Sequence, residues 1–478
     1  MYTRIASALR SSIRDISSFL MISMPHTRRI STPCTSRAIS FPHCDCQGQH
    51  RPIRPCRVLK RIWRLRQRLE LPAHGLHQTL FPRALRSWRV RRCSQHRPDC
   101  SSPLHRTLYI DVAVVSVNDA GTGIQRVVRA LALGLARQKP PGWQIQFVAA
   151  TREQPYHCVA WPDSDTNSEK LQLIQFRPGD VFVGLDYSLN ALRWHRRQIA
   201  SFRRQGGIIW FLVHDLLPAQ RPDWFSSNTV LRHQIWLDTV AAIADGFLCN
   251  SRQTEADIIE ALKVYGLASG DFRTCVLPMG HDIREAPHMA LVENDSGCEG
   301  IHALRGKSFF LKVGTLEPRK GHIDLIRAFE TLWANGFDQT LVLLGRRGWH
   351  VDDLCEAITT HPEYGRRLIW LDNVNDAGLI EAFRESEGVL VASLAEGFGL
   401  PLIEALGHGK PVLARDIPVF KLHEPNGVWF FPADASSQTL ADYIFRWRLA
   451  IRAGAVIIHP PKGGWEASVQ TLLAAVTA

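Results

Sequence analysis

Short apolar runs, cut off by glycine, proline or polar turns, begin at Thr107 and recur almost to the end of the chain. Runs that short and that uninterrupted predict strands buried on both faces. In the first half of the series they fall at 107–117, 144–149, 180–185, 207–213, 246–250 and 274–277, with helical spacing in several of the intervals. The clearest helical pattern is Ile124, Val127, Val128, Leu131 and Leu135, which follows the glycine turn Gly121-Thr122-Gly123. After a polar stretch the alternation starts again, with strands at 309–313, 340–344, 368–371, 389–393, 412–415 and 428–431. Helices are predicted between them at 322–333, 351–359 and 377–384, then around 440–450 and at 465–476. Such alternation predicts an α/β chain with two Rossmann-like, parallel-sheet domains. The first occupies 104–284 and the second 306–478, joined by a linker over 285–305 and separated by an interdomain cleft.

Residues 1–103 lack this period, and composition explains why. Residues 1–100 hold 19 arginines and one lysine against four carboxylates, whereas the remainder holds 37 basic and 41 acidic residues. The net charge of +12 therefore belongs to the tail, and the body has no nucleic-acid signature. An Arg-, Pro- and Ser-rich segment of this kind buries too little apolar surface to offset the entropy of ordering it. It is predicted to be a disordered basic extension, dispensable for folding and read from a start site set too far upstream. The alternatives are a zinc site on Cys44, Cys46 and Cys56, a nucleic-acid arm, or an anchor on anionic lipid. Cys158, Cys249, Cys275, Cys298 and Cys355 stand singly along the body, which suggests thiols in a reducing compartment rather than a disulfide framework. Arg10, Arg14 and Asp15 interrupt any signal-peptide core, and no apolar run is long enough to span a bilayer.

Candidate chemistry collects where predicted strands end. The stretch from Ala395 to Gly409 reads A-E-G-F-G-L-P-L-I-E-A-L-G-H-G directly after an apolar run. Pro401 marks a first helical turn. Glu396 thus lies in the loop ahead of the helix and Glu404 just inside it, and the amides of Phe398, Gly399 and Leu400 are donors at a helix N-terminus. At the start of the second half, Gly314 and the pair Arg319-Lys320 precede a helix, an arrangement suited to a nucleotide diphosphate. His214 and Asp215 follow the strand at 207–213, on the functional rim of an open α/β sheet. Gly123 and Arg126 open the first helix, where an exposed first-turn arginine is the plain alternative for Arg126. Gly345-Arg346 and Val374-Asn375 end two further strands at the same rim. Ser251 is placed to cap a helix.

The segment E-G-F-G-L-P-L-I-E-A resembles the E-x7-E signature of the group 1 (GT4) retaining glycosyltransferases of the GT-B fold. T-G-I-Q-R at 122–126 resembles the first loop of bacterial polysaccharide mannosyltransferases and rhamnosyltransferases within that family. His214-Asp215 is similar to the family's histidine motif, and V-G-T-L-E-P-R-K-G at 313–321 is similar to its cationic diphosphate clamp. One departure is Thr315, which stands where the family usually has arginine, so that only Lys320 matches position for position and Arg319 substitutes.

The resemblance implies a metal-independent hexosyltransferase without a cofactor, its donor a nucleotide-diphosphate sugar, GDP-mannose before dTDP-rhamnose. It implies that Lys320 and Arg319 neutralise the leaving diphosphate, Glu404 holds the ribose, and Glu396 with the loop amides fixes the donor sugar, which His214 faces. Gly345, Arg346, Val374 and Asn375 would flank the base, and the closing helix would pack back on the first domain. The acceptor would be a growing polysaccharide or lipid-linked oligosaccharide. The enzyme would be cytoplasmic, in peripheral contact with the inner face of the bacterial inner membrane. The rival readings are a sugar-nucleotide epimerase on the same fold and a non-catalytic nucleotide-sugar-binding protein.

Overall fold

The computed structural model describes residues 106–119, 121–138, 140–162, 172–175, 177–283 and 299–478. The expectations for residues 1–103, and for the linker as far as residue 298, lie outside the described residues.

The first half is built on β1 (Arg106–Asp111), β2 (Trp143–Ala149), β3 (His157–Cys158), β4 (Val181–Gly184), β5 (Ile208–Val213), β6 (Gly246–Cys249) and β7 (Arg273–Val276). They form one sheet in the order β3-β2-β1-β4-β5-β6-β7, parallel except for the short β3, which pairs antiparallel with β2. Its helices are α1 (Gly123–Arg137), α2 (Leu189–Arg204), α3 (Leu217–Gln220), α4 (Ser227–Ile243) and α5 (Arg252–Lys263). In the central strands β4, β5 and β6 nearly every residue is buried, as expected of a parallel sheet covered on both faces.

The second half opens with α6 (Glu299–His302) and continues β8 (Phe309–Val313), α7 (His322–Ala334), β9 (Thr340–Leu344), α8 (Asp352–Thr359), β10 (Leu368–Leu371) and α9 (Asp376–Glu385). Then come β11 (Gly388–Val391), α10 (Leu400–Gly407), β12 (Val412–Arg415), α11 (Pro418–Lys421), β13 (Trp429–Phe431), α12 (Ser437–Arg452) and α13 (Trp465–Thr477). The strands pair in the order β10-β9-β8-β11-β12-β13, all parallel. In each sheet the chain order reverses beside the first strand, between β1 and β4 and between β8 and β11. Loops leaving the carboxyl ends of those strands part there and open a crevice.

Two boundaries differ from expectation. The apolar run at 107–117 is a strand only to Asp111, because the carboxylate of Asp186 accepts from the amides of Val114 (2.7 Å) and Val115 (2.8 Å) and draws the chain out of the ladder. The predicted linker ends early: α6 and the turn after it belong to the second half, where Ile301 and Leu304 are buried and Arg305 donates to Glu381 at 2.8 Å. Their apolar side chains are too few and too widely spaced to announce a helix in a polar stretch.

The closing helix α13 crosses to the first half and lies along α1, with Val469, Leu472 and Val476 fully buried. Trp465 fixes its start by donating from Nε1 to the carbonyl of Asp282 at 2.8 Å. Among the described residues no helix is long and apolar enough to cross a membrane. Truncating Leu472 removes a side chain with 0% exposure at this junction. Leu472→Ala is expected to lower the unfolding free energy by about 2–5 kcal/mol, read as a lower urea midpoint at unchanged slope.

Candidate active site

The facing loops of the two halves enclose a cleft of about 1670 Å³. Its wall on the second half is an ion cluster. In the loop after β8, Lys320 Nζ donates to Glu396 Oε1 at 2.6 Å, and Arg319 Nη1 donates to Glu396 Oε2 at 2.7 Å. Arg319 Nε also donates to Glu317 at 2.8 Å. The backbone joins the same two loops, since the amide of Leu394 donates to the carbonyl of Arg319 at 2.8 Å. Burial would push the Glu396 carboxyl up, but Lys320 and Arg319 outweigh it and hold it well below the usual carboxylate range. Arg319 is moved up despite its own burial, by Glu396, Glu317 and Asp215.

A third cation lies beneath them. Lys312 sits inside the apolar run of β8 and is 2% exposed. Burial, then Lys320 and Arg319, lower its ammonium to about 7, against Glu396 and Glu317. Three basic side chains, Lys312, Arg319 and Lys320, thus stand among the carboxylates of Glu396 and Glu317, with Asp215 acting on Arg319 from the other half.

The loop 396–399 is pressed between the halves. A Cβ on Gly397 would stand 2.0 Å from the carbonyl oxygen of His214, so no side chain fits there. The carbonyl of Gly397 accepts from Ser251 Oγ (2.6 Å), at the N-cap of the first half's α5, and from Thr254 Oγ1 (3.3 Å) in its first turn. Ser251 also caps that helix by accepting from the amide of Thr254 at 3.0 Å, so the predicted cap has a second role. Gly399 takes φ of 93° to start α10, a conformation only glycine adopts cheaply, and Phe398, Gly399 and Leu400 then line the cleft.

The first half supplies the opposite wall. His214 is 8% exposed, and burial lowers its imidazole to about 4 against the opposing effects of Asp215 and the carbonyl of Leu185. It is therefore neutral at pH 7, with Nε2 at 3.4 Å from the Leu185 carbonyl oxygen. Its own carbonyl accepts from Asn250 Nδ2 at 2.7 Å. Asp215 accepts from the amide of Leu217 at 3.1 Å. Thr122 and Gln125 form a capping box at the start of α1, which sets Gly123 and Arg126 on the cleft. Beneath that loop Asp111 accepts from Ser188 Oγ at 2.5 Å and Tyr156 Oη at 2.9 Å. Burial, and then Asp186, raise its carboxyl to about 7.

Of the residues singled out from the sequence, Glu396, His214, Lys320, Arg319, Gly123 and Gly314 line the cleft together. So do Arg126, Asp215, Gly345, Arg346, Val374 and Asn375, the last as N-cap of α9. Glu404 is the exception. It is 3% exposed on α10 and pairs with Arg126 rather than forming part of the open wall. Sequence reasoning passed over Arg129, whose guanidinium donates to Asp119 at 2.6 Å and to Asp376 at 2.5 Å. It also passed over Phe225 and Trp349, which stack across the cleft with ring centroids 5.7 Å apart. The one signal for Trp349 was a tryptophan in a polar loop.

The second half matches the family described as "Glycosyl transferases group 1", over residues 301–448. Those residues belong to the group 1 glycosyl transferases. Outside this glycosyl transferase domain the likeness continues. Over 390 residues the chain is 33% identical to the serotype-specific mannosyltransferase WbdA of Escherichia coli, covering 77% of this chain and 44% of that relative. It is 32% identical over 120 residues to the O-antigen chain mannosyltransferase B of Escherichia coli, covering 24% of this chain and 30% of that one. The chain thus spans less than half the length of WbdA. Among solved structures, the N-terminal domain of Candida albicans trehalose-6-phosphate phosphatase aligns with a TM-score of 0.50 at 15% identity, over 77% of this chain and 93% of that one. The fold is GT-B, two parallel-sheet halves with a cleft between them.

The buried lysine of the domain has a measurable signature. An amine lowered from 10.5 to about 7 on folding binds fewer protons in the folded than in the unfolded chain between those values. Its contribution is present above the unfolded value and is lost as pH falls through about 7. Urea denaturation of wild type and Lys312→Met should therefore diverge with pH, wild type gaining about 1 kcal/mol per pH unit over the variant between pH 8 and 10.

Proposed function

We propose that the chain is a retaining glycosyltransferase that moves a hexose, mannose first among candidates, from a nucleotide-diphosphate sugar to a growing polysaccharide or lipid-linked oligosaccharide. The observation that carries this reading is the Lys320-Glu396-Arg319 cluster on one wall of the cleft, facing the neutral imidazole of His214 on the other. The mannosyltransferase relatives support the choice of sugar.

In this reading the donor diphosphate lies against Lys320 and Arg319, with the buried Lys312 adding to the field. Charge grows on the leaving diphosphate as the glycosidic bond breaks, and preorganised cations stabilise it without reorganising. Glu396 holds both cations in place and accepts hydroxyl hydrogen bonds from the donor sugar. The first-turn amides of α10 bind the same sugar. His214, uncharged at neutral pH, accepts or donates one hydrogen bond without competing for the diphosphate. Side-chain cations in the place of a divalent ion make the transfer metal-independent. The acceptor reaches the sugar from the first half, at the cytoplasmic face of the membrane where its lipid carrier is anchored.

The test is transfer from GDP-[14C]mannose to a mannose-terminated oligosaccharide acceptor, with the donor pool analysed for isomerised sugar. Glu396→Gln and Lys320→Ala, each checked for folding by thermal melting, are expected to lower kcat by about 10²- to 10³-fold. Transfer should survive EDTA. Near wild-type turnover by folded Glu396→Gln sinks the assignment, strict dependence on added Mn²⁺ or Mg²⁺ sinks the metal-free clamp, and isomerised donor without transfer points to an epimerase.

A further inference from the structure

Trp349 stands in the loop after β9, yet its ring and its indole N–H are engaged by the first half. The ring stacks on Phe225, with centroids 5.7 Å apart and planes at 30°, and Nε1 donates to the carbonyl of Trp224 at 2.8 Å. Both partners are held in place. Phe225 is buried, and Trp224 ends the single turn Pro222–Trp224, with the Arg221 guanidinium 3.8 Å from the centre of its ring. The backbone next to Trp349 is strained: His350 has φ of 53°, the one positive φ outside glycine among the described residues. A conformation of that kind persists only where surrounding contacts over-determine it.

On its other side the Trp349 loop is laced to the loop that carries the cations. The amide of Leu316 donates to the carbonyl of Arg346 at 2.9 Å, and the amide of Gly348 donates to the carbonyl of Leu316 at 3.1 Å. Gly348 has no room for a side chain. A Cβ there would stand 2.3 Å from the Leu316 carbonyl oxygen and 3.2 Å from Cγ of Glu317. Glu317 is 6% exposed, and its carboxylate accepts from Arg319 Nε at 2.8 Å. An unbroken run of contacts therefore leads from Phe225 through Trp349, Gly348, Leu316 and Glu317 to the guanidinium of Arg319.

A guanidinium recognises phosphate through donors fixed in one plane, so a small tilt of that plane loses contact. We propose that Trp349 is a positioning residue: held on the first half by Phe225 and Trp224, it fixes the 346–348 loop against Leu316 and Glu317 and so aims Arg319 at the donor diphosphate. The grip on that diphosphate then depends on a ring of the other half. Phe225 tunes affinity for a phosphate that neither it nor Trp349 has to touch. This rests on the reading of the cleft as a nucleotide-diphosphate site.

Calorimetric titration of the full chain with GDP and GMP, or with UDP and UMP if wild type takes uridine nucleotides, tests it. The variants are Phe225→Leu, Trp349→Ala and Trp349→Phe, each checked for folding by thermal melting. The informative quantity is the ratio of the diphosphate and monophosphate dissociation constants, in which any change in contacts to the base or ribose cancels. Phe225→Leu and Trp349→Ala are expected to reduce the preference for the diphosphate about three- to tenfold, the size of coupling carried by a chain of packed side chains. Trp349→Phe keeps a ring on Phe225 and loses the indole N–H, so it should reduce the preference by less. It also keeps the test open if Trp349→Ala does not fold. A ratio unchanged in Phe225→Leu and Trp349→Phe, even where both nucleotides bind more weakly, overturns the positioning role while leaving the nucleotide site standing. Failure of wild type to bind either GDP or UDP overturns the nucleotide reading, and the positioning role with it.

Discussion

Glu396 is a carboxylate held between two cations in a place with little water, and much of the second half's working face follows from it. It lies in the loop after β11, while Lys320 and Arg319 lie in the loop after β8, so its two oxygens tie neighbouring strand ends together. Breaking a buried pair by removing one partner leaves an uncompensated charge and is strongly destabilising, so each of these groups constrains the others. The same bonds keep two long flexible side chains from wandering. Cations fixed in advance stabilise developing charge better than cations that must be gathered during the reaction.

The first half adds position more than charge. Its glycine loop, its histidine and the capped start of α5 press against the loop 396–399 so closely that a carbonyl oxygen fills the place of a missing Cβ. Ser251 shows how economical the arrangement is, one hydroxyl both capping a helix and bonding the opposite half. The arginines of α1 complete the contact with charge. The working surface is therefore formed only when both halves are in place, and it uses residues as far apart in sequence as Arg129 and Asp376.

Much of this was legible in the sequence, for reasons that can be stated. Strands of a doubly covered parallel sheet are apolar nearly throughout, so β4, β5 and β11 stand out as uninterrupted runs. Residues at the carboxyl ends of such strands share one rim, and His214, Lys320 and Glu396, each following a strand, line one cleft. Partnerships were not legible. Helical spacing buries Glu404 but says nothing of Arg126, and the two glutamates stand in separate ion pairs, Glu404 with Arg126 and Glu396 with Lys320. Lys312 is a lone cation in an otherwise apolar strand, and the charges that act on it come from other loops. The end of β1 was hidden because the group that terminates it, Asp186, lies 72 residues away from Val114. α4 was missed because its apolar residues do not gather on one face.

The return of α13 to the first half has a mechanical consequence. The backbone crosses between the halves twice, once between Ile283 and Glu299 and once between Arg452 and Trp465. The second crossing carries α13 with it, and the buried face that α13 lays on α1 joins the end of the chain to the helix whose first turn lines the cleft.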